Sequence, residues 1–206
     1  GKYKIGTRRF GSVNWIGAWT LYKKEVLRFL IVWIQTLFSP LITSLLFLSV
    51  LSLAIGNDRG DVLGVPFIVF LAPGLIAMQI IQQAFSHSSS SFMIGKIQGN
   101  IVDLVYAPLS AGEVTLAVTL ASVTRSVLIA VISLLVFYLF IDLEIKNFIT
   151  LIAFTLLSAF SLGALGIIAG LWAEKFDHMA TVTNFVIIPL SFLSGTFYSI
   201  ERLPEI

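Results

Sequence analysis

Ser86, His87 and Ser88 are the residues whose types come closest to a nucleophile beside its base. A serine–histidine site also needs an orienting acid and an oxyanion-binding group, and residues adjacent in sequence do not provide that geometry. The chain has no GxxxxGK[ST] motif for a phosphate-binding loop, and it has no cysteine for thiol catalysis, disulfides or metal binding. We therefore predict no catalytic residue here and a chain that is not itself an enzyme.

A second polar group consists of Glu174, Asp177 and His178, whose i, i+3 and i+4 spacing gathers side chains on one face of a helix. Such a face could hold a metal ion. The alternative, which we favour, is a solvated turn between two apolar segments. We therefore predict no metal and no cofactor bound by this chain.

Arg125 is a charge inside an apolar segment. Counting from Val114 at about 1.5 Å per residue places it about 16 Å into that segment, near the middle of a bilayer. A charge there costs about 2.5 to 3.5 kcal/mol on insertion scales. Because every acidic residue lies outside the apolar segments, the possible partners are glutamines, backbone carbonyls, a second copy of the chain or an anionic substrate group. The candidate intramembrane polar site comprises Arg125, Gln79, Gln82 and Gln83.

The elements that would position these residues are membrane spans. The chain is 57% hydrophobic and 12% charged, against roughly 25% charged in an ordinary soluble domain. About 20 apolar residues cross the hydrocarbon layer as a helix. Five stretches have that length: Phe29 to Ile55, Val65 to Phe85, Val114 to Ile141, Phe148 to Ala173 and Met179 to Phe197. The sequence predicts an all-α, polytopic transmembrane helix bundle, and its net charge of +2 is too small to indicate a nucleic-acid partner.

The residues before the first span are basic, and aromatic side chains recur among them at helical spacing. By the positive-inside rule this end is cytoplasmic. The stripe of Trp15, Trp19, Tyr22, Val26 and Phe29 has Lys24 and Arg28 on its far side. This pattern predicts an interfacial amphipathic helix over residues 14–28. The alternative is that the first span simply begins early.

The loop between the second and third spans also contains an amphipathic pattern. We predict a short helix that lies on the membrane surface and stops at Tyr106, because Pro108 disfavours a helical Ala107. Its outward side comprises Gly99, Val102, Asp103 and Tyr106, and its side against the bundle comprises Ile97, Ile101, Leu104 and Val105. A linker that binds no partner would show the same amphipathicity.

Two stretches resemble a known family. The first contains Phe92, Lys96, Gly99-Asn100-Ile101, Asp103-Leu104 and Ala107-Pro108-Leu109-Ser110, and the second contains Lys175-Phe176-Asp177, Pro189 to Tyr198 and Leu203-Pro204. Their order and spacing resemble those of type-2 ATP-binding-cassette (ABC-2) exporter permeases, in the branch that exports drugs, nodulation factors and polysaccharides. Together the stretches extend over most of the chain.

The resemblance implies the membrane subunit of an ATP-driven exporter in the bacterial inner membrane. A separate ATPase, which binds the ATP and Mg, would dock on the loop between spans two and three. A second permease copy and membrane lipids would be the other partners. The substrate would be a drug-like, lipid-linked or glycan molecule. The outward side of the short helix would be the coupling contact with the ATPase.

The expected organisation is one permease domain over residues 1–206. It comprises a cytoplasmic tail and interfacial helix (1–28), five spans (29–197), a cytoplasmic coupling loop (86–110) and the start of an extracellular segment (198–206). Since the resembled permeases have six spans, we expect this chain to be truncated before the sixth. Gly166 and Gly170 in the fourth span have small-xxx-small spacing, which favours a close helix contact, although glycine is also common in membrane helices.

Two other function classes remain open from the residues alone. A secondary transporter or channel would normally carry paired charges inside its spans, and the predicted spans contain no acid. A membrane-embedded transferase would need acids or histidines clustered at the interface, which only Glu174 to His178 offers.

Overall fold

The chain folds as a bundle of α-helices. The computed structural model describes residues 13–55, 64–143 and 147–193. The helices are α1 (Trp15–Ile31), α2 (Ser39–Ile55), α3 (Phe67–Ile97), α4 (Ile101–Tyr106), α5 (Ala111–Tyr138), α6 (Phe148–Trp172), α7 (Phe176–Val182) and α8 (Ile188–Phe192). The predicted all-α transmembrane bundle is confirmed.

Four helical segments within the described residues are long and apolar enough to cross a membrane. They are Ile34–Ala54, Phe67–Ile97, Ala111–Tyr138 and Phe148–Trp172. The predicted fifth span, Met179 to Phe197, is helical as far as Phe192, and its last four residues lie outside the described part of the chain, as does the predicted extracellular segment 198–206. The truncation before a sixth span stays a prediction.

Two span boundaries differ from the predicted ones. Phe29 belongs to α1, and the first span begins only at Ile34. The second span does not end at Phe85, because α3 continues as one helix to Ile97. The serines after Phe85 are compatible with a helix, since Ser90 Oγ donates to the carbonyl oxygen of His87 at 3.0 Å, three residues back. The first half of the predicted coupling loop is therefore part of the span helix.

Two π-helical segments, Ile34–Phe38 and Thr183–Ile187, each end just before a proline-containing helix turn. Proline has no backbone N–H and disrupts the regular hydrogen-bond ladder, and a π-helical turn is one way to accommodate that break. At the first segment, the N–H of Ser39 donates to the carbonyl oxygen of Ile34, immediately before Pro40. The helix thus continues across the proline with an altered twist.

Helix α1 forms where the interfacial helix was predicted, and its position at the membrane surface stays a prediction. Asn14 caps the helix, and its side chain accepts from the N–H of Gly17 at 2.9 Å. The buried side chains are Leu21, Glu25 and Phe29, whereas Trp15 and Trp19 of the aromatic stripe are exposed. The predicted stripe therefore faces outward at its start, is half-buried in its middle and is buried at Phe29.

Helix α3 is the centre of the bundle and packs against α2, α5 and α6. Its closest neighbour is α6, where Gly166 and Gly170 face the α3 backbone. A Cβ added at Gly166 would lie 2.5 Å from the carbonyl oxygen of Phe85, and one at Gly170 would lie 2.7 Å from that of Ser89. The small-residue spacing therefore forms a packing contact within the chain, which is one of the two predicted possibilities.

We expect Gly166→Ala to lower the stability of the folded chain by about 1 to 3 kcal/mol, because its methyl group would overlap a backbone atom that cannot rotate away. The measurement is thermal unfolding of the purified protein in one detergent. Gly112→Ala in α5 is the matched control, since a Cβ there meets nothing within 4 Å. Equal melting temperatures for the two variants would show that the α3–α6 contact tolerates added volume.

Candidate functional site

The segment after α3 is a turn followed by a separate short helix. Helix α3 ends at Ile97, and Gly99 adopts a left-handed conformation with φ of 76° before α4 begins at Ile101. The prediction of one continuous amphipathic helix is therefore wrong. The helix breaks at Gly99, because only glycine enters this left-handed conformation without a steric penalty. Helix α4 does end at Tyr106, and Ala107 is extended, as Pro108 predicts.

Helix α4 presents one side to the bundle and the other to the outside. Ile101 and Leu104 pack against a buried cluster that includes Leu21 of α1, Phe92 of α3 and Val118 of α5. Ile101 and Leu104 are three positions apart, so they lie on the same face of α4. These two residues therefore anchor the helix.

The other two predicted anchors do not contact the bundle in this way. Ile97 lies before the turn, in α3, and is 53% exposed, while Val105 lies on the flank of α4 and is 74% exposed. The predicted outward residues are all exposed; Val102 is 51% and Tyr106 84% accessible, and Gly99 and Asp103 lie beside them. We call Gly99, Val102, Asp103 and Tyr106 the coupling surface.

The chain beyond α4 is fastened to the start of α1 by the carboxylate of Glu113. Glu113 accepts from the backbone N–H of Asn14 at 2.6 Å and from that of Ser110 at 2.7 Å. Ser110 Oγ accepts in return from the N–H of Glu113, and Asn14 Nδ2 donates to the carbonyl oxygen of Pro108 at 3.1 Å. We call this arrangement the Glu113 clasp. Its Ser110-x-x-Glu113 pattern is a capping-box motif, so the sequence carried a signal for it.

The four residues of the predicted intramembrane polar site line a single cavity of about 730 Å³ between α1, α2, α3 and α5. Polar side chains dominate the rest of its wall, and the prediction missed several of them, notably Arg28 at the end of α1. The other polar lining residues are Gln35, Thr36, Ser39, Thr43, Ser86, Ser90 and Gln98.

Only one of the three glutamines binds Arg125. Arg125 Nη2 donates to Gln83 Oε1. Gln79 Nε2 instead donates to the carbonyl oxygen of Pro40 at 3.2 Å and to Ser44 Oγ at 2.8 Å, tying α3 to α2. Gln82 Nε2 donates to Ser191 Oγ at 3.0 Å, tying α3 to α8. The four residues thus share one wall, but two of the glutamines act as ties between helices.

A buried ionic cluster beside the cavity was not predicted. Arg28 pairs with Glu25 at 3.0 Å, and Glu25 Oε2 lies 3.6 Å from Nε2 of the fully buried His87. Arg28 Nη2 also donates to the carbonyl oxygen of His87 at 3.1 Å. The i, i+3 spacing of Glu25 and Arg28 could have indicated the pair, whereas the contact with His87 joins residues about 60 positions apart and leaves no local pattern.

Neither group first considered for chemistry forms a reactive site in the described part of the chain. Both ring nitrogens of His87 lack a hydrogen-bond partner there, so no serine is activated by it. No three histidine or acidic side chains of the described ranges converge as metal ligands. Glu174 and Asp177 are exposed, in agreement with the favoured interpretation of a solvated turn.

Comparisons with known proteins address the family. The model of the ABC-2 type transporter family matches residues 17–206. Inner membrane transport permease YadH of Escherichia coli (strain K12) is 30% identical over 190 residues, which cover 92% of this chain and 74% of that protein. Nodulation protein J of Rhizobium leguminosarum bv. trifolii is 25% identical over 205 residues, which cover 94% and 73% of the two chains. No solved structure matches the chain.

The family match extends over the membrane spans, the coupling surface and the cavity-lining residues of α3 and α5. The resemblance inferred from the two sequence stretches is thereby confirmed. The chain belongs to the ABC-2 type transporter family, as a membrane-spanning permease component.

Proposed function

We propose that this chain is the permease subunit of an ATP-driven exporter and that a separate ATPase docks on the coupling surface. The observation that carries the proposal is the two-sided geometry of α4. Ile101 and Leu104 fix the helix against three other helices, while the side chains of Asp103 and Tyr106 are exposed. A large aromatic side chain with a polar tip is a typical energetic centre of a protein interface.

The proposed division of labour leaves nucleotide chemistry to the partner. The ATPase would bind ATP and Mg, and this chain would act as the transport subunit without a nucleotide site, cofactor or metal of its own. The name of the relative YadH, an inner membrane transport permease, agrees with this assignment. The transported molecule would be drug-like, lipid-linked or a glycan.

The proposed orientation places α1 and the coupling surface at the cytoplasmic face of the bacterial inner membrane. The Glu113 clasp joins the start of α1 to the segment after α4, so both lie at the same end of the bundle. Lys23, Lys24 and Lys96 also belong to this end, and clustered basic residues favour the cytoplasmic side. The relative YadH is named as an inner membrane protein.

A second permease copy is the proposed partner inside the membrane. Gln35, Ser39 and Thr43 recur every four residues along the first span, line the cavity and are exposed in the single chain. Polar side chains facing hydrocarbon lack hydrogen-bond partners, so such a stripe favours a water-filled space or a neighbouring protein. A homodimer would enclose the stripe from both sides.

The first test combines Asp103→Arg with Tyr106→Ala in the full-length permease. We expect normal membrane abundance and at least tenfold weaker capture of the ATPase, because the variant loses a central aromatic contact and reverses a charge. The measurement is co-purification of ATP-hydrolysing activity with the tagged permease at matched membrane levels.

Two further variants separate docking from folding. Tyr138→Ala with Asp142→Arg repeats the same changes at exposed positions at the opposite end of the bundle and should leave capture unchanged. Ile101→Asp with Leu104→Asp should instead reduce membrane abundance, since it buries charges against an apolar cluster. Undiminished ATPase capture by the Asp103/Tyr106 variant would mean that α4 is only a linker.

The second test concerns the Glu113 clasp. Glu113→Gln keeps the size of the side chain but replaces one acceptor oxygen by a donor, so one of the two backbone N–H groups loses its partner. We expect a loss of stability of about 1 to 2 kcal/mol and a lower rate of ATP hydrolysis by the complex. Glu174→Gln, at an exposed position, is the control. A destabilised variant with unchanged hydrolysis would restrict the clasp to a structural role.

A further inference from the structure

The wall of the large cavity carries positive charge that is not balanced there. Arg28 and Arg125 both line it, and no acidic side chain of the described residues does. The charge of Arg28 is compensated by Glu25, which does not line the cavity and whose Oε2 lies 3.0 Å from Arg28 Nη2. No carboxylate within the described ranges forms an ion pair with Arg125. One full positive charge therefore faces the cavity.

Arg125 is also incompletely hydrogen-bonded for so buried a group. Its exposed fraction is 9%. Its Nη2 donates a hydrogen bond to the neutral amide of Gln83, and its Nε has no hydrogen-bond partner among the described residues. A guanidinium presents a planar fork of donors that matches the oxygens of a phosphate or carboxylate. A guanidinium that is only partly hydrogen-bonded and has no counter-charge is costly at membrane depth, and an oxyanion is the ligand that removes that cost.

The shape of the cavity indicates what carries the oxyanion. It follows α3 from Gln79 to Gln98, about 28 Å at about 1.5 Å per residue. One end lies beside the turn of the coupling surface, and the other reaches the middle of the spans. Hydroxyl and amide groups line the interior, while Val32 and Ile94 add apolar surface. A volume of about 730 Å³ is in the range of sites for drug-sized molecules rather than for a single small ion.

We propose that this cavity binds the phosphate-type headgroup of an anionic amphiphile, with Arg125 as the main contact and Arg28 as the second. This proposal rests on the proposed transport function, since it names the substrate class of the permease cavity. The amides and hydroxyls of the wall would supply further hydrogen bonds to the headgroup. The attached apolar chain would leave along the exposed side of the first span, where α2 is not covered by other helices.

The rival explanation is an arginine that only holds helices together. In that case Arg125 would serve its contact with Gln83, and the cavity would have no preference for charge. The two explanations differ in how the protein distinguishes lipids that match in chain length but differ in headgroup charge.

The test uses the purified full-length permease without an ATPase. Binding of phosphatidylglycerol and of phosphatidylcholine with identical acyl chains is measured by native mass spectrometry, with inorganic phosphate as competitor. We expect phosphatidylglycerol to bind at least tenfold more tightly than phosphatidylcholine, because only a headgroup with a net negative charge compensates the charge of Arg125. Competition by inorganic phosphate would show that the free oxyanion suffices, and its failure would show that the lipid chain is required.

Three variants locate the binding. Arg125→Gln should abolish the preference for phosphatidylglycerol, and Arg125→Lys should retain part of it, because lysine keeps the charge without the planar fork. Gln35→Glu is nearly isosteric and lies at the exposed rim of the cavity, so it should repel the anion while the fold is retained. Lys23→Gln removes an exposed cation that does not line the cavity and should change nothing.

Two results would overturn the proposal. The first is equal binding of the two lipids by the unmodified protein. The second is an unchanged preference for phosphatidylglycerol in both single variants, Gln35→Glu and Arg125→Gln, when both are folded. Because no ATPase is present, these results are independent of the docking experiment. A permease that captures its ATPase but shows no preference for anionic lipid would retain the proposed function and lose only this substrate class.

Discussion

The backbone contact between α3 and α6 is the constraint on which the rest of the structure depends. In lipid, apolar burial gives little drive for helix association, so close packing of small residues must supply it. Gly166 and Gly170 let α6 approach the carbonyl oxygens of Phe85 and Ser89. Lys96, about two turns further along α3, donates to carbonyl oxygens at the end of α6. The helix that carries the cavity wall and leads into the coupling surface is thereby held along its length.

Polar residues inside the spans donate to backbone carbonyl oxygens close to the prolines and π-helical turns. Gln79 donates to the carbonyl oxygen of Pro40 in α2, and Thr36 Oγ donates to the carbonyl oxygens of Phe29 and Val32 where α1 ends and the first span begins. These bonds explain why amides are tolerated at membrane depth. They also separate structural glutamines from Gln83, whose amide oxygen is engaged by the buried charge of Arg125.

Features with a local cause were predictable from the sequence, and features that join distant segments were not. Pro108 fixes the end of α4 at Tyr106, and the polar residues of α3 and α5 were correctly grouped because few explanations exist for such residues in a span. The break at Gly99 was missed, since amphipathic periodicity continues across it. The pairing of Glu25 with His87 depends on how α1 lies against α3, which no local pattern specifies.

The coupling surface is connected to the cavity through two helices at once. Gly99 lies two residues after the end of α3, and Gln98 between them lines the cavity together with Ile94 and Ser90 in the last turns of α3. The Glu113 clasp connects the other end of α4 to the start of α1, whose last turn carries Arg28. A force on α4 therefore acts on α1 and α3 together. Since Arg28 bridges these helices through the carbonyl oxygen of His87, a relative shift of α1 and α3 must either carry that contact along or break it. Breaking it would leave Arg28 paired with Glu25 of its own helix but no longer attached to His87 of α3.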